Sequence, residues 1–330
     1  MRPFRYERPA TAARAVAAAG GEAHFLAGGT TMVDLMKLDV MRPERLLDIT
    51  QLEDGRYDFI DWDGKSLRIG ALTAMATLAD DDEVRRRVPM LSDALWLAAS
   101  PQIRKAARIG GNVLQRTRCA YFRDTSYAQC NKREPGSGCA ALDGGVTRGH
   151  AVLGTSSACI ATYPGDFAQS LIALDAVVEI LGKDGPRAVR FAELHRQPHS
   201  RPDIETTLEE GDLIVAFSIP DADFPRSRYL KVRDRESYAY ALASTAGALR
   251  MDGDVVADIR IALGGVATVP WRAREAEEML KGSSISEDGL ERAAEAAFAG
   301  ASTTEDNAYK VDLGKRTMVR TFLELARMEG

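Results

Sequence analysis

The chain has 330 residues, which is enough for two or three domains, each with its own core. Its 45% hydrophobic and 28% charged residues are ordinary for a soluble globular protein, and its net charge is -5. It has no long Lys/Arg cluster, which argues against a nucleic-acid-binding surface.

No stretch reaches the roughly 18 to 20 apolar residues of a membrane span, and the first residues lack an apolar signal core. We therefore expect a cytoplasmic protein. Export to the periplasm as a passenger on a signal-bearing partner would leave no mark in this sequence.

The first 50 residues alternate between helical and strand patterns. They predict a helix over 10–19 with Thr11 as its N-cap, a strand over 24–27, a helix from 32 to 36 and a strand over 45–49. Such alternation is typical of an α/β unit.

The middle of the chain mixes short strands and helices. The patterns predict strands at 57–62, 66–70, 176–181 and 212–218, and helices at 74–79 (capped by Thr73), 91–99 and 166–174. The acidic run at 80–83 is interpreted as a solvated turn. Residues 110–164 show little periodicity, and a loop of that length inside a compact domain is usually functional or disordered.

The character of the chain changes at about residue 226. Strands predicted at 228–234, 240–250 and 255–266 precede helices near 271–281, 286–298 and 312–328. Runs of strands followed by runs of helices indicate a separate α+β domain. We place the boundary near Pro225, giving domains of 1–225 and 226–330.

Two glycine pairs are candidate ligand sites. Gly28-Gly29-Thr30-Thr31 lies between a predicted strand and helix, where backbone amides favour an anion such as a pyrophosphate. Ile109-Gly110-Gly111-Asn112 is a second such turn. Together they could bind the two ends of one long cofactor, although plain structural turns remain an open interpretation of both.

All four cysteines lie in one window, with 10, 8 and 19 residues between them: Cys119, Cys130, Cys139 and Cys159. Zinc sites usually show C-x2-4-C pairs, and none is present. Four separate thiolates suit a cubane iron–sulfur cluster. Disulfides and free thiols remain alternatives. The arginines around these cysteines could offset the charge of a cluster, or could form a solvated loop or a partner surface.

Side chains for acid–base or nucleophilic catalysis do not form a recognisable pattern. The four histidines show neither HExxH nor paired spacing, so we interpret them as structural or surface residues.

At this point the motifs resemble those of a known family, the FAD-binding subunits of xanthine dehydrogenase/aldehyde oxidase-type molybdenum hydroxylases. The chain is most similar to the three-subunit aldehyde oxidoreductase type that carries an additional 4Fe-4S cluster. The resemblance covers nearly the whole chain and is carried by LAGGTTMVDLMK (26–37), SPQIRKAARIGGN (100–112), QRTRCAYFRD (115–124), HAVLGTSSACIATYPGD (150–166) and YLKVRDR (229–235).

The resemblance implies an α+β fold: a two-part PCMH-type FAD-binding domain followed by a carbon-monoxide-dehydrogenase-flavoprotein-like C-terminal domain, with extended FAD between them. It implies FAD contacts for Leu26, Ala27, Gly28, Gly29, Thr30, Thr31, Ile109, Gly110, Gly111, Asn112, Asp166, Ile214 (with Leu213 as the alternative) and Lys231. It implies cluster ligation by Cys119, Cys130, Cys139 and Cys159 in an insert at about 113–163.

Two departures from the family pattern stand out. Arg108 occupies a position where many relatives have Thr or Ser, which puts a hydroxyl contact to FAD there in doubt. Simpler relatives lack the cysteine insert, whereas the iron–sulfur subtype has it.

The resemblance implies an electron-transfer subunit. Electrons would pass from a large molybdopterin-binding subunit through a small 2Fe-2S subunit to FAD here, and then to an external acceptor. One alternative is a self-contained flavin oxidoreductase. Another is a zinc-stapled structural subunit without a redox role.

Overall fold

The structure is a computed structural model that describes residues 1–328. The first 50 residues form the expected α/β unit, with a parallel sheet in the order β1-β3-β2. Its elements are β1 (Arg5–Glu7), α1 (Ala12–Ala18), β2 (Ala23–Leu26), α2 (Met32–Lys37) and β3 (Arg45–Asp48). Thr11 caps α1 as predicted, because its side chain accepts a hydrogen bond from the backbone N–H of Arg14 (3.2 Å).

A five-stranded antiparallel sheet follows, in the order β4-β5-β8-β6-β7. Its strands are β4 (Ile60–Asp63), β5 (Ser66–Gly70), β6 (Val177–Gly182), β7 (Gly185–Arg190) and β8 (Leu213–Ile219). The helices of this part are α3 (Met75–Ala79), α4 (Asp82–Arg87), α5 (Pro89–Trp96), α6 (Pro101–Ala106), α7 (Ile109–Val113), α8 (Ala120–Arg123), α9 (Phe167–Ala173) and α10 (Phe191–Leu194). Every residue of α9 is buried, so this helix lies at the centre of the molecule.

Two local predictions in this region were wrong. The acidic run begins a helix, since the Asp81 side chain caps α4 by accepting from the backbone of Glu83 and Val84. Thr73 does not cap α3. Its hydroxyl instead donates to the carbonyl of Phe59, and α3 begins after Ala74.

The C-terminal part has the predicted run of strands followed by helices. Its elements are β9 (Ser227–Val232), β10 (Ala243–Asp252), β11 (Val255–Gly264), β12 (Trp271–Arg272), α11 (Arg274–Leu280), α12 (Glu287–Ala297) and α13 (Tyr309–Ala326). The strands form an antiparallel sheet in the order β12-β11-β10-β9. The start of the helix predicted at 271–281 was wrong, because β12 occupies it, and β10 and α13 each begin three residues from their predicted starts. The α+β class is confirmed. The domain boundary near Pro225 stays a prediction, and residues 329–330 of the second domain lie outside the described residues.

The two parts share one core. Tyr229, Ala246 and Ala248 of the C-terminal sheet pack in the same buried cluster as α9. The helices α5 and α9 cover one face of this sheet, and α13 covers β10 on the other. Side chains at the junction are therefore held in fixed positions.

The cysteine insert is irregular but ordered, since both parts of the molecule hold it. Val152 and Leu153 belong to the C-terminal core, and their backbone N–H groups donate to the Val266 carbonyl (2.8 and 3.0 Å). On the other side, Lys132 pairs with Glu205 (2.7 Å). Of the two interpretations of this long loop, functional or disordered, the structure favours the first. Within residues 1–328, helices of the length and apolarity needed to cross a bilayer are absent.

Candidate functional site

The first glycine motif packs against the chain that leads into the second. A Cβ at Gly28 would collide with the carbonyl oxygen of Ala106, three residues before the second motif, and Gly29 has a φ of 70° that favours glycine. A Cβ at Gly110 would lie only 2.9 Å from the Cβ of Ala71. Gly28 and Gly110 are therefore required for close packing and Gly29 for its left-handed backbone, and the neighbouring turns form one wall.

Beside this wall lies a cleft of about 810 Å³. It is bordered by α2 with the turn before it, Met75 of α3, the segment from α5 to α7, the cysteine insert, the turn before α9, and the segment from β9 to β10. A volume of this size is typical of a cofactor site.

The structure brings some of the sequence-predicted residues into the cleft and leaves others behind its wall. Those that line it are Thr30, Thr31, Asn112, Asp166, Lys231 and Cys119. Those that do not line it are Leu26, Ala27, Gly28, Gly29, Ile109, Gly110, Gly111, Ile214 and Leu213. Ile214 is a buried core residue of β8 with Ile180 as its β6 partner, and Ile109 is completely buried. The contacts of these residues with FAD stay predictions.

A buried ion pair forms part of the cleft wall. Lys231 Nζ lies 2.8 Å from Asp166 Oδ2 and 3.0 Å from the Leu97 carbonyl oxygen, and the two charged side chains are only 1% and 5% exposed. The Tyr229 hydroxyl donates to the other carboxylate oxygen of Asp166 (2.7 Å). Burial raises the pKa of Tyr229 well above its usual value, so the phenol remains a donor. The network joins the start of α9 to β9 across the junction.

The cleft has an excess of positive charge. Five cationic and three anionic side chains line it, namely Arg118, Arg123, Arg148, Lys231 and Arg235 against Asp34, Asp166 and Asp234. An electropositive cleft favours an anionic ligand such as a dinucleotide diphosphate.

Within residues 1–328, three cleft-lining residues carry buried polar atoms without a hydrogen-bond partner: Asn112 Oδ1, Arg118 Nε and His150 Nδ1. Burial lowers the pKa of His150, so its ring is neutral at pH 7. Buried polar groups are nearly always paired in folded proteins, so such atoms mark places for a ligand. The donors and acceptors of FAD fit this arrangement.

All four cysteines are free thiols within one neighbourhood. Burial raises the pKa of the Cys119 thiol to about 12, and the nearby Cys130 and Cys159 add to this shift. Burial also raises the pKa of Cys159, with Cys139 and Cys130 contributing. Cys130 and Cys139 face each other in a short antiparallel bridge. In residues 1–328, however, His, Cys, Asp and Glu side chains nowhere form a group of three or more that could hold a single metal ion. The 4Fe-4S prediction therefore stays a prediction.

The basic residues of the insert are mostly paired within the chain rather than solvated. Arg116 and Lys132 bind Glu205. Arg118 and Arg123 bind Asp34 of α2. This pairing fixes the insert against its neighbours and argues against the solvated-loop interpretation.

Sequence reasoning missed several residues of the cleft. His150 was interpreted as structural or surface, yet it lines the cleft and its Nε2 lies 3.2 Å from Cys119 Sγ. Asp34 and Tyr240 also line it. Asp34 lies one helical turn beyond the first glycine motif, a spacing that could have indicated its position. No comparable signal marks Tyr240 or His150.

Comparison with protein families assigns both parts of the chain. Residues 2–222 match the FAD binding domain in molybdopterin dehydrogenase, and residues 228–325 match the CO dehydrogenase flavoprotein C-terminal domain. The fold and the cleft thus belong to an FAD-binding subunit of an oxidoreductase.

Comparison with individual relatives identifies the family within this class of proteins. The chain is 44% identical to the aldehyde oxidoreductase FAD-binding subunit PaoB of Escherichia coli K12 over 98% of each chain. It is 28% identical to the carbon monoxide dehydrogenase medium chain of Hydrogenophaga pseudoflava, covering 92% of this chain and 88% of the relative. A solved structure of carbon monoxide dehydrogenase from that organism aligns with a TM-score of 0.75 at 27% identity, covering 98% of this chain and 97% of the other. The chain belongs to the FAD-binding medium subunits of the molybdenum hydroxylase family.

Proposed function

We propose that this chain is the electron-transfer subunit of an aldehyde-oxidising molybdenum hydroxylase. It receives electrons from a small 2Fe-2S subunit that is reduced by a large molybdopterin-binding subunit, and it delivers them to an external acceptor. The observation that carries the proposal is the electropositive cleft with its three unpaired polar atoms. The 44% identity to an aldehyde oxidoreductase subunit over 98% of both chains supports the substrate class and the partners.

In this function the chain binds and orients the cofactor, since FAD itself supplies the chemistry of accepting electrons and releasing them singly or in pairs. The Asp166–Lys231 pair is held by Tyr229 and by the Leu97 carbonyl, so it presents a fixed charge arrangement to the cleft. The cationic side chains compensate the diphosphate.

We further propose that Cys119, Cys130, Cys139 and Cys159 ligate a 4Fe-4S cluster. Each cysteine comes from a separate stretch of an insert that is held from both sides, and Cys130 and Cys139 face each other in a short antiparallel bridge. Four thiolates around a cubane bind four different iron atoms, so they need not be close enough together to share one ion. The cluster would lie beside the cleft, because Cys119 borders both.

Expression with and without the partner subunits tests this function. We expect a stable hetero-complex that contains FAD and a molybdenum cofactor and oxidises aldehydes, with this chain required for electron delivery to the acceptor. A catalytically complete monomer would instead indicate the self-contained flavoenzyme. Cell fractionation of the complex tests the compartment, for which we propose the cytoplasm unless a partner carries an export signal.

The cluster has its own test. Cys130→Ser is expected to remove most of the iron while leaving much of the FAD. Ser156→Ala serves as the control, because it removes a hydrogen bond to the Cys159 backbone without removing a thiol. Full iron content in Cys130→Ser contradicts the ligand assignment, and a colourless protein with bound zinc supports the zinc-stapled alternative.

A further inference from the structure

Arg118 differs from the other cleft-lining arginines in how few partners it has. Arg123 binds both carboxylate oxygens of Asp34 (2.8 and 3.0 Å), and Arg148 binds both of Asp234 (3.0 and 2.7 Å). Arg118 donates from Nη1 to Asp34 Oδ2 (2.8 Å), and within residues 1–328 this is its single hydrogen bond. A guanidinium has five N–H donors, so Arg118 has donors to spare.

The position of this guanidinium is fixed on three sides. The guanidinium pairs with Asp34 of α2, and the Arg118 backbone belongs to the insert, directly before Cys119. The guanidinium also lies over the ring of Tyr240, 4.9 Å from the ring centroid. Its Nε is buried without an acceptor, although the side chain as a whole remains 25% exposed and lines the cleft. A buried charged donor without a partner destabilises a protein unless a ligand supplies the acceptor.

We propose that Arg118 is an FAD-binding residue, with its guanidinium donating hydrogen bonds to the cofactor in the cleft. This inference rests on the FAD site described above. It follows that the cysteine insert contacts the cofactor directly, so the insert contributes to FAD retention as well as to any cluster.

FAD affinity of the purified complex tests the proposal. After reversible removal of FAD, rebinding is followed by quenching of flavin fluorescence. Arg118→Gln is expected to raise the Kd about 10- to 100-fold, the effect of losing hydrogen bonds from a charged donor. Arg118→Lys keeps the charge but loses the planar fork, so it should recover part of the affinity. Arg68→Gln is the control, because it removes an arginine that pairs with Glu179 on the five-stranded sheet and does not line the cleft, and its Kd should stay within about threefold.

A second measurement separates binding from a structural role. In the FAD-free complex, Arg118→Gln should lower the unfolding midpoint only slightly, because Arg123 still holds Asp34 and the lost Arg118–Asp34 pair is partly exposed. With FAD bound, the variant should unfold earlier than the wild type. Three results would overturn the proposal: an unchanged Kd for FAD, an equal loss of stability with and without FAD, or a loss of iron while FAD affinity stays intact. If Arg118→Gln does not fold, the Kd and the unfolding midpoint of Arg118→Lys test the proposal in its place. A wild-type protein that binds no FAD would refute the proposed function instead.

Discussion

Replacing Lys231 with Met should destabilise the junction between the two parts of the protein. The pair that Lys231 forms with Asp166 is almost fully buried, with side chains 1% and 5% exposed and 2.8 Å between the charged atoms. Removing one partner of a buried ion pair leaves an uncompensated charge and typically costs about 3–5 kcal/mol. The Asp166 carboxylate keeps its hydrogen bond from Tyr229, so we expect the lower end of this range, about 3 kcal/mol.

The assay is urea unfolding of the full chain, followed by circular dichroism. Arg228→Met is the control from the same strand, because its pair with Glu324 is partly exposed and should contribute less than about 1 kcal/mol. The double variant Lys231→Met/Asp166→Asn removes both charges and should be less destabilised than the sum of the single variants. If Lys231→Met unfolds like the control, or if the two single effects add, the pair does not stabilise the junction as described.

Three further changes probe the surroundings of the cleft. Gly28→Ala should reduce FAD content severely and lower stability by more than about 2 kcal/mol, because the new Cβ collides with the Ala106 carbonyl; flavin absorbance and urea unfolding measure both effects. Glu205→Gln should loosen the insert by leaving two partly buried cations, Arg116 and Lys132, without a carboxylate, which faster proteolysis within 113–163 would reveal and an unchanged cleavage pattern would contradict. Burial lowers the pKa of Lys310 from 10.5 to about 8, so the unfolded chain binds more protons between these values and stability should rise with pH there. Lys310→Met should lack that rise, and parallel pH–stability curves for variant and wild type would refute it.

Much of the fold could be predicted from periodicity and capping. Thr11 marks the start of α1 because its side chain bonds the first turn, a purely local interaction that a sequence shows directly. Thr73 has the same chemistry but gives its hydroxyl to Phe59, 14 residues away, which local reasoning cannot foresee. The strands β1 and β7 were missed because they are short or have partly exposed residues with little apolar alternation.

The residues of the candidate site likewise include some that sequence patterns predict and some that they do not. Thr30, Thr31, Asn112, Asp166 and Lys231 lie at the cleft as the family motifs implied, whereas the glycines of the two turns do not line it. Tyr240 reaches the cleft from the segment between β9 and β10, and His150 reaches it from the far end of the insert. Their proximity depends on how the insert packs against both parts of the molecule, which no local pattern encodes.

The packing of the insert also determines how the cysteines relate to the cleft. Cys119 and His150 both line the cleft, and their side chains meet at 3.2 Å. Cys130 and Cys139 face each other in a short antiparallel bridge within the insert, and neither lines the cleft. In the proposed cluster, Cys119 would therefore be the ligand nearest to the flavin, and Arg118, the residue directly before it in the chain, would contact the flavin cofactor. Because one short segment would serve both groups, a change that displaces Cys119 should also weaken FAD binding through Arg118, whereas a change at Cys139 should not.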